Sequence, residues 1–175
     1  MKLKTPLTKE DIESLHSGEK VKLSGIIYTA RDAAHEKLID LINQGKELPI
    51  PLKGQVIYYV GPAPAKPGEV IGAAGPTTSY RMDPYTPQLF EKGLKAVIGK
   101  GQRSEKIKKS MIKYKSVYLG AVGGAGALLA KCIKSSEIVA YPELGAEAIR
   151  KLEVEDMPLI VINDIYGNDL YEQEW

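Results

Sequence analysis

The sequence predicts an α/β fold built on a mixed sheet, and two observations carry this prediction. Through the middle of the chain, β-rich apolar stretches alternate with stretches of helical periodicity. Strand-like stretches also cluster towards both ends of the chain, which favours a mixed sheet over a fully parallel one. No internal repeat or linker-like stretch interrupts residues 1–175, so we expect a single domain.

The N-terminal elements are indicated by helix caps and by apolar periodicity. Thr8 stands three residues before Asp11, close to a capping box, and predicts a short helix in "LTKEDIESL". The stretch "EKVKLSGIIY" predicts a strand near residues 20–28. Apolar residues at helical spacing then predict a helix in "ARDAAHEKLIDLINQGKE", with Thr29 as its N-cap and Gly45 at its end.

The remaining elements follow in order. "GQVIYYV" predicts a strand near residues 55–60, and "EVIGAAGPTT" predicts a hairpin partner after a proline-rich turn. We then expect a short helix in "YTPQLFEKG", a strand in "LKAVIGKG", a helix in "SEKIKKSMIKY" and a strand in "KSVYLGAV". A glycine-rich turn leads into the predicted helix "ALLAKCIKSS". The stretches "EIVAYPEL", "IRKLEVED" and "PLIVINDIYG" are the predicted closing strands.

Composition narrows the classes of protein to consider. Hydrophobic residues make up 43% and charged residues 26%, as in ordinary globular chains. A net charge of +2 argues against a nucleic-acid-binding protein. No stretch approaches the ~18 apolar residues of a membrane span, and the N-terminus lacks the apolar part of a signal peptide. We therefore expect a cytoplasmic chain that binds neither nucleic acid nor membrane.

The cysteine and histidine content predicts no metal site within this chain. Cys132 is the only cysteine, so no intrachain disulfide can form, which is consistent with a reducing compartment. Its apolar surroundings indicate a buried small side chain. The two histidines lie in separate segments without a familiar ligand spacing. If a metal takes part in the chemistry, we expect another chain to hold it.

The stretch "TARDAAH" places an arginine and a histidine where a strand passes into a helix. Free N–H groups and the positive end of the helix dipole favour an anion at such a junction. Arg31 falls in the predicted first turn, where its charge opposes the dipole, so it calls for a carboxylate partner, either Asp32 or one from outside. His35 projects from the same helix face. A surface arginine beside a half-buried histidine explains this spacing equally well.

The stretch "GPTTSYRMD" presents two hydroxyls and a guanidinium after a stiff Gly-Pro pair. Glycine permits unusual backbone angles and proline fixes its own φ, so Thr77 and Thr78 are held rigidly. Arg81 can form two parallel hydrogen bonds to a carboxylate. The alternative is an ordinary turn, in which the threonines bond their own backbone and Arg81 pairs with Asp83.

Two glycine-rich turns suggest a different class of function. In "GKGQRS", Lys100 stands between two glycines at the end of an apolar strand, where the backbone can approach a ligand closely. "GAVGGAGALLA" has the strand–glycine–helix form of a dinucleotide site, although Leu129 stands where that fingerprint needs glycine or alanine. Tight packing explains these glycines adequately. A non-catalytic module that binds a phosphorylated ligand or a nucleotide is therefore the alternative function.

Four stretches together resemble a known family. "TPLTKEDIESLHSGEKVKLSGIIYTARDAAHEKL", "GPTTSYRMDPY", "GKG" and "PLIVINDIYGNDLY" occur in the order found in iron–sulfur hydro-lyases, and they span nearly the whole chain. The chain resembles the β subunit of two-chain class I fumarate hydratases and L(+)-tartrate dehydratases, and the C-terminal domain of single-chain class I fumarases. The resemblance implies a swivelling β/β/α fold. It also implies reversible addition or removal of water on a small dicarboxylate.

The same resemblance implies a cofactor and a partner. A [4Fe-4S] cluster, bound by three cysteines of a separate α subunit, would act as the Lewis acid. The chain would then be active only in a hetero-oligomer with that subunit. Cys132 lies outside the shared motifs, in agreement with a chain that supplies no cluster ligand.

The family's substrate-binding residues carry over where the motifs match. Arg31 would hold one carboxylate of the substrate. Thr77, Thr78 and Arg81 would bind the other end, and Lys100 would add positive charge. Two carboxylates close to one metal call for several cations and hydrogen-bond donors, so this set of side chains is electrostatically reasonable.

Proton transfer is implied for His35 and Thr77. The imidazole has a suitable intrinsic pKa, whereas the threonine needs an activating neighbour, which the α subunit would supply. His35 could alternatively serve only to position Arg31. Ser79-Tyr80 replaces the Ala-Gly of many single-chain fumarases, and Tyr80 could narrow the pocket or face away, so fumarate and tartrate both stay open as substrates. A third interpretation is a structural partner whose motifs merely stabilise loops.

Overall fold

The computed structural model describes residues 1–121 and 125–174. Its strands are β1 (Lys2–Lys4), β2 (Lys20–Thr29), β3 (Val56–Tyr58), β4 (Ala96–Gly99), β5 (Val117–Gly120), β6 (Ile133–Ala140) and β7 (Ile149–Asn163). Its α-helices are α1 (Lys9–Glu13), α2 (Asp32–Asn43), α3 (Thr86–Glu91), α4 (Glu105–Tyr114) and α5 (Gly126–Lys131). Short 3₁₀ turns occupy Ser79–Met82, Pro142–Glu147 and Leu170–Glu172.

The strands form one mixed sheet in the order β1-β2-β3-β4-β5-β7-β6, with an additional pairing of β2 to β7. Neighbours from β1 to β5 pair in parallel, and β7 runs antiparallel to β2, β5 and β6. Because β2 pairs with both β3 and β7, and β7 pairs with β5, the pairings close a ring of five strands. The predicted α/β class and mixed sheet are confirmed, and the topology is compatible with a swivelling β/β/α domain.

Apolar side chains pack in two clusters, one on each face of the sheet. Side chains alternate between faces along a strand, so Val56 and Tyr58 belong to one cluster and Ile57 to the other. The first cluster gathers residues from β2 to β5 and β7, together with α1. The second packs the outer face against α2, α3 and α4, through Leu38, Leu89, Phe90, Ile107 and Met111.

The carboxyl ends of β2, β3, β4 and β5 lie at one edge of the sheet because these strands are parallel. A segment of the "GPTTSYRMD" stretch lies between two of these ends. The Thr77 amide donates to the Tyr59 carbonyl (2.7 Å), and the Ser79 amide donates to the Lys100 carbonyl (2.9 Å). Thr78 and Lys100 form an isolated parallel bridge. The fold therefore brings two stretches that are separate in sequence into direct backbone contact.

The hairpin predicted for "EVIGAAGPTT" was wrong. Residues 69–78 form no regular strand, because β3 is already paired on both sides, with β2 and with β4. The backbone groups of this loop find other partners. The Ala63 amide donates to the Ala73 carbonyl (2.9 Å), the Ala74 amide donates to the Gly126 carbonyl (3.1 Å), and the Tyr58 hydroxyl donates to the Ala74 carbonyl.

Two further local predictions were wrong. The helix in "ALLAKCIKSS" ends at Lys131 with Cys132 as its C-cap, and the following residues form β6 because they pair with β7. Thr29 does not cap α2: its hydroxyl lies in the buried end of β2, donates to the Ala148 carbonyl (3.3 Å) and accepts from the Arg150 amide (3.0 Å). The predicted glycine-rich turn before α5 includes residues 122–124, which lie outside the described residues.

Gly99, the last residue of β4, allows the 3₁₀ turn to approach the sheet. A Cβ at this position would overlap Ser79 Oγ and lie 3.0 Å from Tyr59 Cδ2. Ser79 is fully buried, and its hydroxyl lies 2.9 Å from the Tyr118 hydroxyl, so it has little room to move. We expect Gly99→Ala to lower the free energy of unfolding by about 1–3 kcal/mol, as overpacking commonly does, measured by denaturant titration.

Gly75→Ala is the matched control for this prediction. A Cβ at Gly75 would come no closer than 3.6 Å to the start of α5, which is an ordinary contact, and its φ is not in the left-handed region. We expect a change within about 0.5 kcal/mol for the control. Equal losses of stability in both variants would contradict the close-approach explanation.

Candidate functional site

Arg31 is the N-cap residue of α2, and its side chain is half-buried. The guanidinium lies over Gly61, where a Cβ would come within 2.7 Å of Arg31 Nη1. Its Nε lies 4.0 Å from Glu147 Oε1, and the same carboxylate accepts a 3.4 Å hydrogen bond from the Ala33 amide. The carboxylate expected at this junction therefore comes from outside the helix, and Asp32 pairs elsewhere.

His35 is fully buried in the first turns of α2. Its Nδ1 lies 2.7 Å from the Arg31 carbonyl oxygen, so Nδ1 carries the proton and donates it. The ring packs against Tyr59 and Tyr85, with centroids 5.5 and 5.7 Å away. Burial outweighs the hydrogen bond to Arg31 and lowers the pKa of His35 to about 4. At neutral pH the imidazole is therefore uncharged and fixes the backbone that carries the Arg31 guanidinium.

Arg81 and Asp32 join the two motifs that the sequence predicted as parts of one site. Arg81 Nη2 lies 3.6 Å from Asp32 Oδ2, and the two side chains are 41% and 38% exposed. Arg81 does not pair with Asp83, as the ordinary-turn interpretation expected. Asp83 instead pairs with Arg103 at 2.7 Å. The "TARDAAH" and "GPTTSYRMD" stretches thus face each other at the carboxyl edge of the sheet.

The threonine pair and Lys100 complete the same edge. Thr77 and Thr78 are half-buried, and Lys100 is exposed directly after β4. Tyr80 is 61% exposed and lines a surface cavity with Pro84, Gln102 and Lys106. Its ring therefore lies at the surface rather than in the packed interior.

Arg103 is the residue of this region that the sequence analysis missed. Its side chain is fully buried beside the 3₁₀ turn, and its Nε donates to Asp83 Oδ1. Arg103 stands in the "GKGQRS" stretch, in which only Lys100 was predicted to bind a ligand. Its partner is twenty residues away, a separation that no helix or strand periodicity relates. A general signal would have been an arginine directly before a helix N-cap, which is a poor position for a free cation.

The described residues do not fit a metal cage or a cluster. Within 1–121 and 125–174, no group of three or more histidine, cysteine, aspartate or glutamate side chains could hold a metal ion. Cys132 is half-buried at the end of α5, with Sγ 3.9 Å from the Leu128 carbonyl. In the same part of the chain, no helix is long and apolar enough to cross a membrane.

The fold, together with the side chains at the carboxyl edge of the sheet, defines a class of protein. It is a mixed α/β domain that gathers guanidinium, ammonium and hydroxyl groups at the carboxyl ends of parallel strands. This is the edge where α/β proteins bind their ligands, and such groups suit an anion. The particular family follows from comparison with known proteins. The chain belongs to the family described as Fumarase C-terminus, whose model matches residues 1–174.

Three relatives illustrate the likeness. The anaerobic class I fumarate hydratase of Escherichia coli (strain K12) is 46% identical over 156 residues, covering 88% of this chain and 28% of the relative. Fumarate hydratase 2 of Leishmania major is 40% identical over 176 residues, covering 98% and 31%. The putative L(+)-tartrate dehydratase subunit beta of Methanocaldococcus jannaschii is 40% identical over 173 residues, covering 95% and 89%. The chain thus spans under a third of these fumarate hydratases, and the family resemblance is confirmed.

The buried imidazole predicts a pH dependence of stability. Since the pKa of His35 is about 4 in the folded chain and 6.5 ordinarily, the unfolded chain takes up the proton more readily. The stability contributed by neutral His35 is complete above pH 6.5, declines as the pH falls towards 4, and is constant below. This shift corresponds to about 3 kcal/mol. Urea unfolding at several pH values should show a flatter profile for His35→Gln than for the wild type.

His16→Gln provides the control, because His16 is exposed and its replacement should leave the wild-type profile intact. Comparing variants removes the contribution of carboxylates, which titrate in the same range. Parallel profiles for the wild type and His35→Gln would contradict a neutral, buried His35.

Proposed function

We propose that this chain is the β subunit of a two-chain class I hydro-lyase that reversibly adds water to fumarate to give L-malate. The observation that carries the proposal is the set of side chains at one edge of the sheet: Arg31, Thr77, Thr78, Arg81 and Lys100. The two-chain form is supported by the match, over 89% of its length, to a relative named as a subunit beta.

The charge balance of this edge suits a dicarboxylate. Arg31, Arg81 and Lys100 bring three positive charges, and the nearby carboxylates of Asp32 and Glu147 offset two of them. The contacts of both arginines to these carboxylates are long and partly exposed, at 4.0 and 3.6 Å. A substrate carboxylate that accepts two parallel hydrogen bonds from a guanidinium offers a better geometry. We assign one end of the substrate to Arg31 and the other to Thr77, Thr78 and Arg81.

Of the two residues implied in proton transfer, Thr77 and His35, we assign the transfer to Thr77 and a positioning role to His35. The Thr77 hydroxyl would exchange a proton with the reacting carbon, on a backbone that the Tyr59 carbonyl holds in place. A threonine needs a base to activate it, and we assign that base to the partner chain. His35, whose Nδ1–H donates to the Arg31 carbonyl, would position Arg31.

The cofactor in this proposal belongs to the partner. A [4Fe-4S] cluster there would supply Lewis-acid chemistry. We assign the cluster to the partner because the described residues of this chain offer no cage for it. The chain's own residues would bind the two carboxylates, orient the substrate and exclude water from it. Proximity and orientation of this kind can lower a barrier by several kcal/mol, about 7–11 in favourable cases.

L(+)-tartrate is the second candidate substrate. The observation that favours it is the relative named as a putative L(+)-tartrate dehydratase subunit, which is 40% identical and which this chain covers over 89% of its length. Both substrates are four-carbon dicarboxylates, so the same cations and hydroxyls would hold either.

Reconstitution tests the proposal directly. The chain is co-expressed anaerobically with a partner chain that carries three cluster cysteines, and hydration of fumarate is compared with dehydration of L(+)-tartrate. We expect fumarate hydration by the complex, with the higher kcat/KM for fumarate. A higher kcat/KM for tartrate would assign the second substrate. Full activity of this chain alone, without iron, would overturn the proposal.

Gly61→Ala tests the role of Arg31 without touching a functional group. A Cβ at Gly61 would lie 2.7 Å from Arg31 Nη1 and 3.0 Å from its Cδ. The flexible end of the arginine can move aside at little cost in stability, but it then leaves its place at the site. We expect kcat/KM to fall about 10- to 100-fold, the loss of a charge-assisted hydrogen bond worth about 1.5–3 kcal/mol. The free energy of unfolding should change by under about 1 kcal/mol.

Lys37→Gln is the control for this experiment, because it removes a cation from the same helix. Lys37 pairs with Glu143 at 3.9 Å and has no part in the proposed site. We expect its kcat/KM to match the wild type. An unchanged kcat/KM in both Gly61→Ala and Arg31→Lys would contradict the assignment of Arg31 as a residue that binds substrate.

A further inference from the structure

Arg103 is a buried cation that holds three side chains at once. Its Nε donates to Asp83 Oδ1 (2.7 Å), and its Nη2 donates to the Tyr59 hydroxyl and to Thr86 Oγ1, each at 3.3 Å. Burial disfavours the charge, but the Tyr59 hydroxyl and the Asp83 carboxylate outweigh it and raise the pKa of Arg103. Arg103 is therefore charged at neutral pH.

These partners belong to the segments that carry the proposed site. Asp83 directly follows the 3₁₀ turn that bears Arg81, and its second oxygen accepts from the Ser104 amide (2.9 Å). Tyr59 follows β3, and its carbonyl accepts from the Thr77 amide. One guanidinium thus links both ends of the segment 77–83 to the start of α4.

Tyr118 on β5 makes a second tie to the same segments. Its ring lies 5.0 Å from the Arg103 guanidinium carbon. Its hydroxyl donates to the Gly101 carbonyl (2.8 Å) and therefore accepts from the Ser79 hydroxyl (2.9 Å). Ser79 directly follows Thr78, and Gly101 directly follows Lys100. These hydrogen bonds through Tyr118 therefore fix the distance between Thr78 and Lys100.

We propose that Arg103 is a positioning residue of the dicarboxylate site, which sets the spacing of Thr77, Thr78 and Arg81 relative to Lys100 without contacting substrate. The inference rests on the proposed function. Misplacing groups by about 1 Å can reduce a rate about a hundredfold, so a rigid link of this kind has a kinetic consequence.

A role in stability alone is the competing explanation, and paired substitutions separate the two. Removing one partner of a buried ion pair leaves an uncompensated charge, whereas replacing both by apolar residues of similar volume is often neutral or stabilising. We therefore expect Arg103→Met and Asp83→Leu each to lower the Tm. The double variant Arg103→Met/Asp83→Leu should recover most of the Tm, yet kcat/KM of the two-chain complex should stay about a hundredfold below the wild type.

Amide hydrogen exchange in the full chain supplies a readout that needs no activity. The Thr77 and Ser79 amides, bonded to the Tyr59 and Lys100 carbonyls, report directly on the placement of the segment. We expect both to exchange at least about tenfold faster in the double variant. The Gly18 amide, bonded to the Val161 carbonyl on β7 (2.8 Å), is the internal control and should be unchanged.

Arg103→Lys is the conservative variant that keeps the proposal testable if the double variant does not fold. It retains the charge beside Asp83 but cannot reach Tyr59 and Thr86 at once. We expect a folded chain with faster Ser79 exchange and a reduced kcat/KM. Wild-type exchange and kinetics in Arg103→Lys, or joint recovery of Tm, kcat/KM and exchange in the double variant, would overturn the proposal. An inactive wild-type complex would refute the proposed function, and amide exchange would still decide the role of Arg103.

Discussion

Two backbone hydrogen bonds between a loop and two strand ends determine the geometry of the proposed site. Thr77 donates to the Tyr59 carbonyl and Ser79 to the Lys100 carbonyl, so the chain passes between the ends of β3 and β4. A backbone bond of this kind contributes about 1 kcal/mol net, so two of them do not hold a loop alone. The anchoring comes from burial: Ser79 and Met82 are fully enclosed, and Gly99 leaves the space that Ser79 enters.

Local signals predicted most of the elements, and long-range pairing decided those that were wrong. The capping box at Thr8 is present, and the strand near residues 20–28 and the helix that follows it lie within a few residues of their predicted bounds. Each is specified by residues close in sequence. The hairpin at residues 69–78 failed because β3 had no free side. Likewise, "CIKSS" pairs with β7, a partner that lies beyond its own stretch of sequence.

The same distinction applies to the site. Residues that directly follow parallel strands share one edge of the sheet, so Arg31 and Lys100 could be placed at that edge from the sequence. The tertiary partners of the site residues could not be predicted in this way. Glu147 reaches the start of α2 from 114 residues away, and the pairing of Arg103 with Asp83 depends on where the 3₁₀ turn docks. A sequence motif shows which groups are present, whereas the fold decides which carboxylate each arginine meets.

The strength of those pairings distinguishes the arginines by role. Arg31 and Arg81 meet carboxylates at 4.0 and 3.6 Å, with side chains 28% and 41% exposed, and such solvent-screened pairs contribute about 0–1 kcal/mol. Arg103 meets Asp83 at 2.7 Å with no exposed side-chain surface, and breaking a buried pair costs about 3–5 kcal/mol. Under the proposed function, a dicarboxylate would displace the weak partners of Arg31 and Arg81, whereas Arg103 would keep its carboxylate. Arg31 and Arg81 can change partner because their ion pairs are long and exposed, whereas the buried pair of Arg103 with Asp83 ties down the end of the loop that bears Arg81.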